Sequence, residues 1–246
     1  MIVSHQHKYL FVEIPHTGTT AIREELCEFY SGQPILWRHS YYSDFLKIAN
    51  LDERNYFIFC GIRNPLDITV SQYFRMVTNH NEIYTNPEII SKRNSRDQRR
   101  VRRLYHVVKG RNIDFPTYFL KYFKRPYNSW ASLMHGSFDG LIRFENLQED
   151  FARVLQIIGL EPVRPLSIRN PTKERRKDFW SYYTPEIIPR AKRVFGPFMK
   201  QWGYEFPSDW GEAEITWFKQ FEFQFFTLLK KVKWTYFRPV YYYPQR

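Results

Sequence analysis

The chain has 246 residues, of which 43% are hydrophobic, so it is a globular protein and not an intrinsically disordered one. A chain of this length can bury a sizeable core in one domain or two. The formal net charge is +12, so the expected partners are anions. Two cysteines are too few for a disulfide framework, and both Cys27 and Cys60 are predicted to be small buried hydrophobes.

The sequence gives no sign of secretion or of membrane insertion. Its first residues lack the charged and apolar regions of a signal peptide, and no uninterrupted apolar run is long enough to cross a bilayer. We therefore expect a cytoplasmic protein.

Strand-like apolar runs alternate with helical stripes along most of the chain. Continuous apolar runs are typical of buried parallel strands, and the alternation implies right-handed crossovers. The sequence therefore predicts an α/β fold in which helices flank a central parallel sheet and ligands bind beyond the carboxyl ends of the strands. The predicted strands are residues 8–14, 34–38, 56–62 and 139–144, and the predicted helices are residues 19–31, 66–77 and 148–158.

Residues 92–111 form a strongly basic segment without a strong apolar stripe, which predicts an insertion or a surface helix. Such a positive field attracts nucleotides, acidic glycans, nucleic acids or membrane surfaces, and a plain solvated helix face is an equal alternative. The basic side chains are Lys92, Arg93, Arg96, Arg99, Arg100, Arg102, Arg103, Lys109 and Arg111, against Asp97 as the single acid.

The C-terminal segment has a different composition from the rest. Residues 212–232 can form a helix with a broad aromatic face, and lysines lie near its end at Lys230, Lys231 and Lys233. Such a face must be covered by the core, by another subunit or by a membrane surface, and packing on protein is the more common outcome. We therefore divide the chain into an α/β domain, residues 1–210, and an aromatic and basic helical extension, residues 211–246.

Two motifs lie at the predicted carboxyl ends of two strands. The first predicted strand is followed by Pro-His-Thr-Gly-Thr-Thr at residues 15–20, and the third is followed by Arg-Asn-Pro at residues 63–65. Each motif runs into a helix, so both turns aim the free N–H groups and the positive dipole end of a helix at one edge of the sheet. The sequence therefore predicts a site for anionic oxygens at this edge.

The ordered pair of motifs resembles the sulfotransferases that use 3'-phosphoadenosine 5'-phosphosulfate (PAPS), over roughly residues 8–206. In that family a Pro-Lys-x-Gly-Thr-Thr-like loop holds the 5'-phosphosulfate, and an Arg-Asn-Pro-x-Asp segment with a later Ser holds the 3'-phosphate. The resemblance implies a P-loop NTPase-like sulfotransferase architecture, with PAPS as co-substrate and no metal. It is carried by Pro15, Gly18, Thr19, Thr20, Arg63, Asn64, Pro65, Asp67 and Ser71.

The same resemblance implies how the donor nucleotide is bound. Its 5'-phosphosulfate is expected on Pro15, His16, Thr17, Gly18, Thr19 and Thr20, and its 3'-phosphate on Arg63 and Ser71. A basic loop that closes over the nucleotide is expected at Lys173, Arg175 and Arg176. An ordinary helix N-cap at Thr19 or Thr20, and a solvated charged loop at the basic residues, remain the alternatives.

Two histidines are the predicted catalytic residues. His16 stands where the family usually has Lys, and imidazole can donate a hydrogen bond to the leaving phosphate or carry a charge there. His39 follows the second predicted strand, where many family members place a general base. The alternatives are a loss of catalysis caused by His16 and a surface or core histidine at His39.

We therefore predict an enzyme, a sulfotransferase that moves a sulfuryl group from PAPS to a hydroxyl or amine of a carbohydrate or polar metabolite. An anionic glycan near residues 92–111 would suit the basic segment. One rival is a non-catalytic protein of the same fold that binds a nucleotide or polyanion, and the other is a nucleic-acid-binding protein that uses this segment. No specific nucleic acid is expected, and residues 211–246 are expected to contact a second copy or a membrane surface.

Overall fold

The structure is a computed structural model that describes residues 1–92, 95–134, 136–167, 172, 174, 178–212 and 215–237. The strands in this part of the chain are β1 (Ile2–Ser4), β2 (Tyr9–Val12), β3 (Gln33–Pro34), β4 (Phe57–Ile62) and β5 (Gly140–Arg143). The α-helices are α1 (Thr19–Phe29), α2 (Tyr42–Leu46), α3 (Pro65–Val77), α4 (Pro87–Lys92), α5 (Arg96–Gly110), α6 (Phe115–Tyr122), α7 (Trp130–Leu133), α8 (Leu147–Ile157), α9 (Ile188–Trp202) and α10 (Trp217–Tyr236). Short 3-10 helices lie at Glu53–Asn55, His80–Glu82, Phe144–Asn146, Trp180–Tyr182 and Ser208–Trp210.

The five strands form one sheet in the order β3-β1-β2-β4-β5, so the predicted α/β class is confirmed. β2, β4 and β5 are parallel, with Phe11 beside Phe59 and Phe59 beside Gly140. However, β1 is antiparallel to both β2 and β3, so the prediction of a parallel sheet is wrong and the sheet is mixed. The reason is that β1 and β2 form a hairpin across residues 5–8, and hairpin neighbours are antiparallel.

Most predicted elements are present with small shifts of their ends. The predicted helices correspond to α1, α3 and α8, and the basic segment forms the surface helix α5, which is capped by Ser95. The predicted strand at residues 34–38 is only β3, at an edge where the missing N–H of Pro34 is tolerated. The aromatic C-terminal helix is confirmed as α10.

The chain divides into two compact units. The first comprises Met1–Asn64, Asn128–Arg169 and Glu222–Arg246, and the second comprises Pro65–Tyr127 and Asn170–Phe221. The composition-based division at residue 210 stays a prediction. No helix of the described residues is both long and apolar enough to cross a membrane.

The core of the first unit lies between one face of the sheet and the inward stripes of α1 and α8. Its buried residues include Tyr9, Phe11 and Phe59 from the strands, Ala21, Ile22 and Leu26 from α1, and Phe151, Val154 and Leu155 from α8. Cys60 is buried as predicted, but Cys27 is exposed, so that part of the prediction is wrong. Cys27 follows the inward Leu26 by one position, and one position along a helix turns a side chain away from its neighbour's direction.

The core of the second unit is rich in aromatic rings, which accounts for part of the 19% aromatic content. The rings of Phe115 and Tyr183 lie 5.1 Å apart, and those of Phe119 and Phe195 lie 5.6 Å apart. The buried Tyr183 hydroxyl donates to the Leu66 carbonyl at 3.0 Å, which satisfies its polar group.

Candidate functional site

The β2–α1 loop, residues 13–18, joins the carboxyl end of β2 to the first turn of α1. Its backbone is left-handed at His16 (φ 70°) and at Gly18 (φ 79°). A left-handed residue other than glycine is uncommon and tends to occur at functional sites. The Thr17 hydroxyl donates to the Ile14 carbonyl at 2.8 Å, so its proton is used inside the loop. The group that Thr17 can offer to an anion is therefore its backbone N–H.

The loop lies against strand β4 because residue 61 is a glycine. A Cβ atom at Gly61 would stand 2.6 Å from Thr17 Oγ1 and 2.8 Å from the Thr17 carbonyl oxygen. Cβ atoms in proteins essentially never approach other atoms so closely. At Gly18 a Cβ would stand 3.1 Å from Leu147 Cδ1. The loop is therefore held closely on both sides, and its backbone position depends on these two glycines.

The N-terminus of α1 is suited to an anion. Gly18 occupies the N-cap position, so the alternative of an ordinary cap by Thr19 or Thr20 does not hold. No side-chain cap and no acidic residue compensate the first turn of the helix. The first N–H groups of a helix have no partner within it, and its dipole adds positive potential there. This end of α1 can therefore receive phosphate or sulfate oxygens.

A buried carboxylate, Glu13, organises the cations around the loop. Its side chain is fully buried, with the Met1 amino group and Arg23 Nη1 each 2.8 Å from Oε2, and Arg38 Nε 3.4 Å from Oε1. Burial alone would raise the pKa of the Glu13 carboxyl, but these positive charges outweigh it and hold the pKa below the usual value. Glu13 is therefore ionised, and it holds Arg23 of α1 and Arg38 in fixed positions.

Arg38 is a site residue that the sequence predictions missed, as are Glu13 and Arg23. Besides its contact with Glu13, its Nη2 donates to the Thr20 hydroxyl oxygen at 3.2 Å. The guanidinium thus lies at the N-terminal turn of α1, where a negative ligand would bind. Its position directly before the predicted base, His39, was the only signal in the sequence.

His39 is brought to the β2–α1 loop. Its Nδ1 lies 2.8 Å from the Glu13 carbonyl oxygen. A carbonyl can only accept, so Nδ1 carries the proton, and Nε2 is the basic nitrogen of the neutral ring. Burial lowers the pKa of His39, against the opposing effect of Glu13. Its backbone is also left-handed, at φ 62°. The ring is therefore neutral near pH 7, as a general base requires.

The two motifs meet at the edge of the sheet. Arg63, which follows β4, donates from Nη1 to the His16 carbonyl at 3.1 Å. Its guanidinium carbon lies 4.0 Å from the centre of the Phe144 ring, in cation–π geometry. The backbone N–H of Asn64 donates to Glu145 Oε1 at 2.7 Å. Arg63 is therefore held at a fixed position beside the β2–α1 loop.

The remaining predicted residues fall into three sets. Ser71 is buried in α3, within the second unit, and Asp67 lies in the first turn of the same helix. Pro15 is half-buried in the loop. Lys173, Arg175 and Arg176 lie outside the described residues. The structure therefore groups the loop residues, Arg63 and His39, and leaves the predictions for the other residues as they are.

Two cavities of about 610 and 600 Å³ lie in the second unit, and none of the loop residues lines them. Asp209 lines both, and the first cavity also has Lys192, Arg193 and Lys219 in its wall. No lysine or arginine in the described part of the chain lines the second cavity, which would therefore repel an anion. We place the candidate site at the β2–α1 loop because donors and cations converge there. Among the described residues, no group of three or more His, Cys, Asp or Glu side chains is arranged to hold a metal ion.

Comparison with known proteins finds no match to a protein-family model, to a curated protein or to a solved structure. The function must therefore be argued from the residues and their geometry.

Proposed function

We propose that the protein is a PAPS-dependent sulfotransferase of P-loop NTPase-like architecture, which moves a sulfuryl group to a hydroxyl or amine acceptor. The observation that carries this proposal is the 3.1 Å hydrogen bond from Arg63 to the carbonyl of His16. It brings together the two motifs that, in the family they resemble, hold opposite ends of one nucleotide.

The loop offers the groups that a 5'-phosphosulfate needs. The N–H groups at the start of α1 and the Thr20 hydroxyl can donate to its oxygens. Arg38 and Arg23 add positive charge beside them, fixed by Glu13. Arg63 supplies a planar guanidinium for the 3'-phosphate, with Ser71 proposed as a second donor on α3.

The reaction needs one proton acceptor. The acceptor oxygen or nitrogen attacks sulfur, the bond from sulfur to the bridging phosphate oxygen breaks, and the displaced phosphate keeps the electron pair. His39 Nε2 takes the proton of the nucleophile, because Nδ1 is committed to the Glu13 carbonyl. The positive end of α1, Arg38 and the imidazole of His16 would stabilise the charge that develops on the phosphate.

The acceptor that we propose is a carbohydrate or another polar metabolite. Helix α5 carries exposed arginines at Arg99, Arg100 and Arg103, which would suit an anionic glycan. A cation that holds an anionic acceptor adds affinity without taking part in the chemistry.

The rival proposal is a non-catalytic protein that binds the same nucleotide. His16 favours it, because imidazole supports the leaving phosphate less strongly than the ammonium group usual in the family.

The two proposals are separated by incubating the protein with PAPS and a panel of glycans and polar metabolites, and by measuring adenosine 3',5'-bisphosphate. A sulfotransferase releases it faster with one class of acceptor, in step with a sulfated product. Tight nucleotide binding with no acceptor-dependent release would support the non-catalytic rival.

A further inference from the structure

Helix α10 presents its more apolar side outward, the reverse of a helix that packs on its own core. We call the side chains that point to solvent from the part of α10 in the first unit the outer face: Phe225, Leu228, Leu229, Val232 and Tyr236. Each of these side chains is between 42% and 76% exposed. An apolar stripe of this length on a water-exposed helix marks a surface that binds something.

The opposite side of α10, the inner face, is held to the first unit by mixed contacts. Its residues are Phe223, Thr227, Lys230 and Trp234. Phe223 is buried, and Thr227 accepts a hydrogen bond from the Asn128 side chain. Lys230 Nζ donates to Asn128 Oδ1 at 3.1 Å, and Trp234 packs at a tilt against Tyr41 with ring centres 5.1 Å apart. These contacts determine which side of the helix faces solvent. The outer face is therefore not a surface that would pack on the core if the helix were rotated.

The charges beside the outer face decide what covers it. Lys231 and Lys233 are exposed, one turn from Leu228 and Leu229 respectively, on opposite borders of the stripe. Helix α10 carries four lysines and a single carboxylate, Glu222. A second copy of the chain would bring lysines against lysines with few carboxylates to pair them, whereas anionic lipid headgroups complement both borders at once.

We propose that α10 lies on the surface of an anionic membrane, with its outer face at the boundary between headgroups and acyl chains. Aromatic and leucine side chains on one face, with lysines at its edges, are the composition of helices that lie in this interface. Trp and Tyr favour the same depth, and Tyr236 stands at the C-terminal end of the stripe. The protein then binds a membrane surface without spanning it.

The test uses the full chain and sedimentation with two kinds of vesicle, phosphatidylcholine alone and phosphatidylcholine with about 30% phosphatidylserine. We expect binding to the anionic vesicles that weakens with added salt, and at least roughly tenfold weaker binding to the neutral ones. Equal binding to both, or to neither, would overturn the proposal.

Three variants locate the contact. Leu228→Glu with Leu229→Glu should abolish binding, and circular dichroism should show an unchanged fold because both side chains are exposed. Lys231→Gln with Lys233→Gln should weaken binding to anionic vesicles about 30-fold, since each lysine contributes about a fivefold factor. The control is Lys124→Gln with Lys200→Gln, two exposed lysines far from α10 in sequence, which removes the same charge and should weaken binding less than about threefold.

A second copy of the chain is the competing occupant. Light scattering across a range of protein concentrations should show a monomer with and without the leucine substitutions. A wild-type dimer that those substitutions dissociate, together with no vesicle binding, would contradict the membrane proposal and assign the outer face to self-association.

Discussion

The β2–α1 loop and helix α10 belong to the same chain but use their side chains in opposite ways. At the loop, charged groups are turned inward: Glu13 is fully buried and is bound by Arg23 and Arg38. At α10, apolar groups are turned outward, and Phe223 is the one residue of the helix that is buried. Each arrangement costs stability unless it is compensated, the first by ion pairing and the second by an external partner.

The two regions differ in what organises them. The loop is organised by ion pairs within the first unit. The outer face of α10 is instead exposed to solvent. Substitutions at the loop should therefore change stability or chemistry, and those on α10 should change association alone.

The largest effect is expected at His39. His39→Ala removes the proposed base, and turnover should fall by roughly 10²–10⁴-fold, while affinity for the bisphosphate product stays near that of the wild type. Steady-state kinetics and calorimetric titration measure the two quantities. His106→Ala, at an exposed histidine of α5, is the matched control and should leave both unchanged. Loss of nucleotide affinity in the His39 variant would instead make His39 a binding or structural residue.

Glu13→Gln tests the inward charge of the loop. It leaves the cationic partners of a buried carboxylate uncompensated, so the free energy of unfolding should fall by about 3 kcal/mol in urea titrations. The control is Glu161→Gln at an exposed residue, which should change the free energy of unfolding by less than about 0.5 kcal/mol.

The pH dependence of the same variant gives a second measurement. The pKa of Glu13 is lower in the folded protein than in the unfolded chain, so the unfolded chain takes up the proton first as the pH falls. The contribution of this carboxylate to the free energy of unfolding is therefore fully present above its pKa in the unfolded chain, about 4.3. It is lost as the pH falls through the pKa in the folded protein. In Glu13→Gln the free energy of unfolding should depend less on pH over this range. If it falls with acid as steeply as in the wild type, the ion pairs of Glu13 do not stabilise the fold.

Gly61→Ala tests the close contact between the loop and β4. A Cβ at this position would stand 2.6 Å from Thr17 Oγ1, so the loop must shift, at a cost of about 1–3 kcal/mol in stability. Nucleotide affinity should fall with it, because the N–H groups of the loop move. Gly110→Ala is the control, since its Cβ would meet nothing within 4 Å. If the two variants have the same stability and the same nucleotide affinity, the loop tolerates displacement.

His16→Lys should have the smallest effect. It restores the residue usual in the family, so turnover should be maintained or should rise by up to about tenfold, with a shallower fall above neutral pH. The pH profile of turnover measures both. A collapse of activity would mean that the site is built around imidazole at a left-handed position.

The sequence predicted the parts of the fold that rest on local periodicity. The inward stripes of α1, α3 and α8 follow helical spacing, and the strand that became β4 is a continuous apolar run. The sequence did not predict β1, because three residues are too few for a period of two to be recognised. That omission is the reason the sheet was expected to be parallel.

The candidate site was predictable only in part. The two loops could be placed at one edge of the sheet because parallel strands end there together. The partners of Glu13 could not be predicted, because Arg23 and Arg38 reach it from separate segments of the chain. The outer face of α10 shows the same limit, since contacts with residues distant in sequence, among them Asn128 and Tyr41, determine which side of the helix faces inward.

We propose that Arg63 and the β2–α1 loop hold the two phosphates of one nucleotide. The most direct measurement is the thermal stabilisation produced by adenosine 3',5'-bisphosphate and by AMP, in the wild type, in Arg63→Ala and in the exposed control Arg99→Ala. The bisphosphate should stabilise the wild type and the control by about 2.7 kcal/mol at a hundredfold excess over its dissociation constant. AMP at the same concentration should do much less, and Arg63→Ala should remove the difference. Equal stabilisation by the two nucleotides in the wild type, or a preference that survives in Arg63→Ala, would contradict the account.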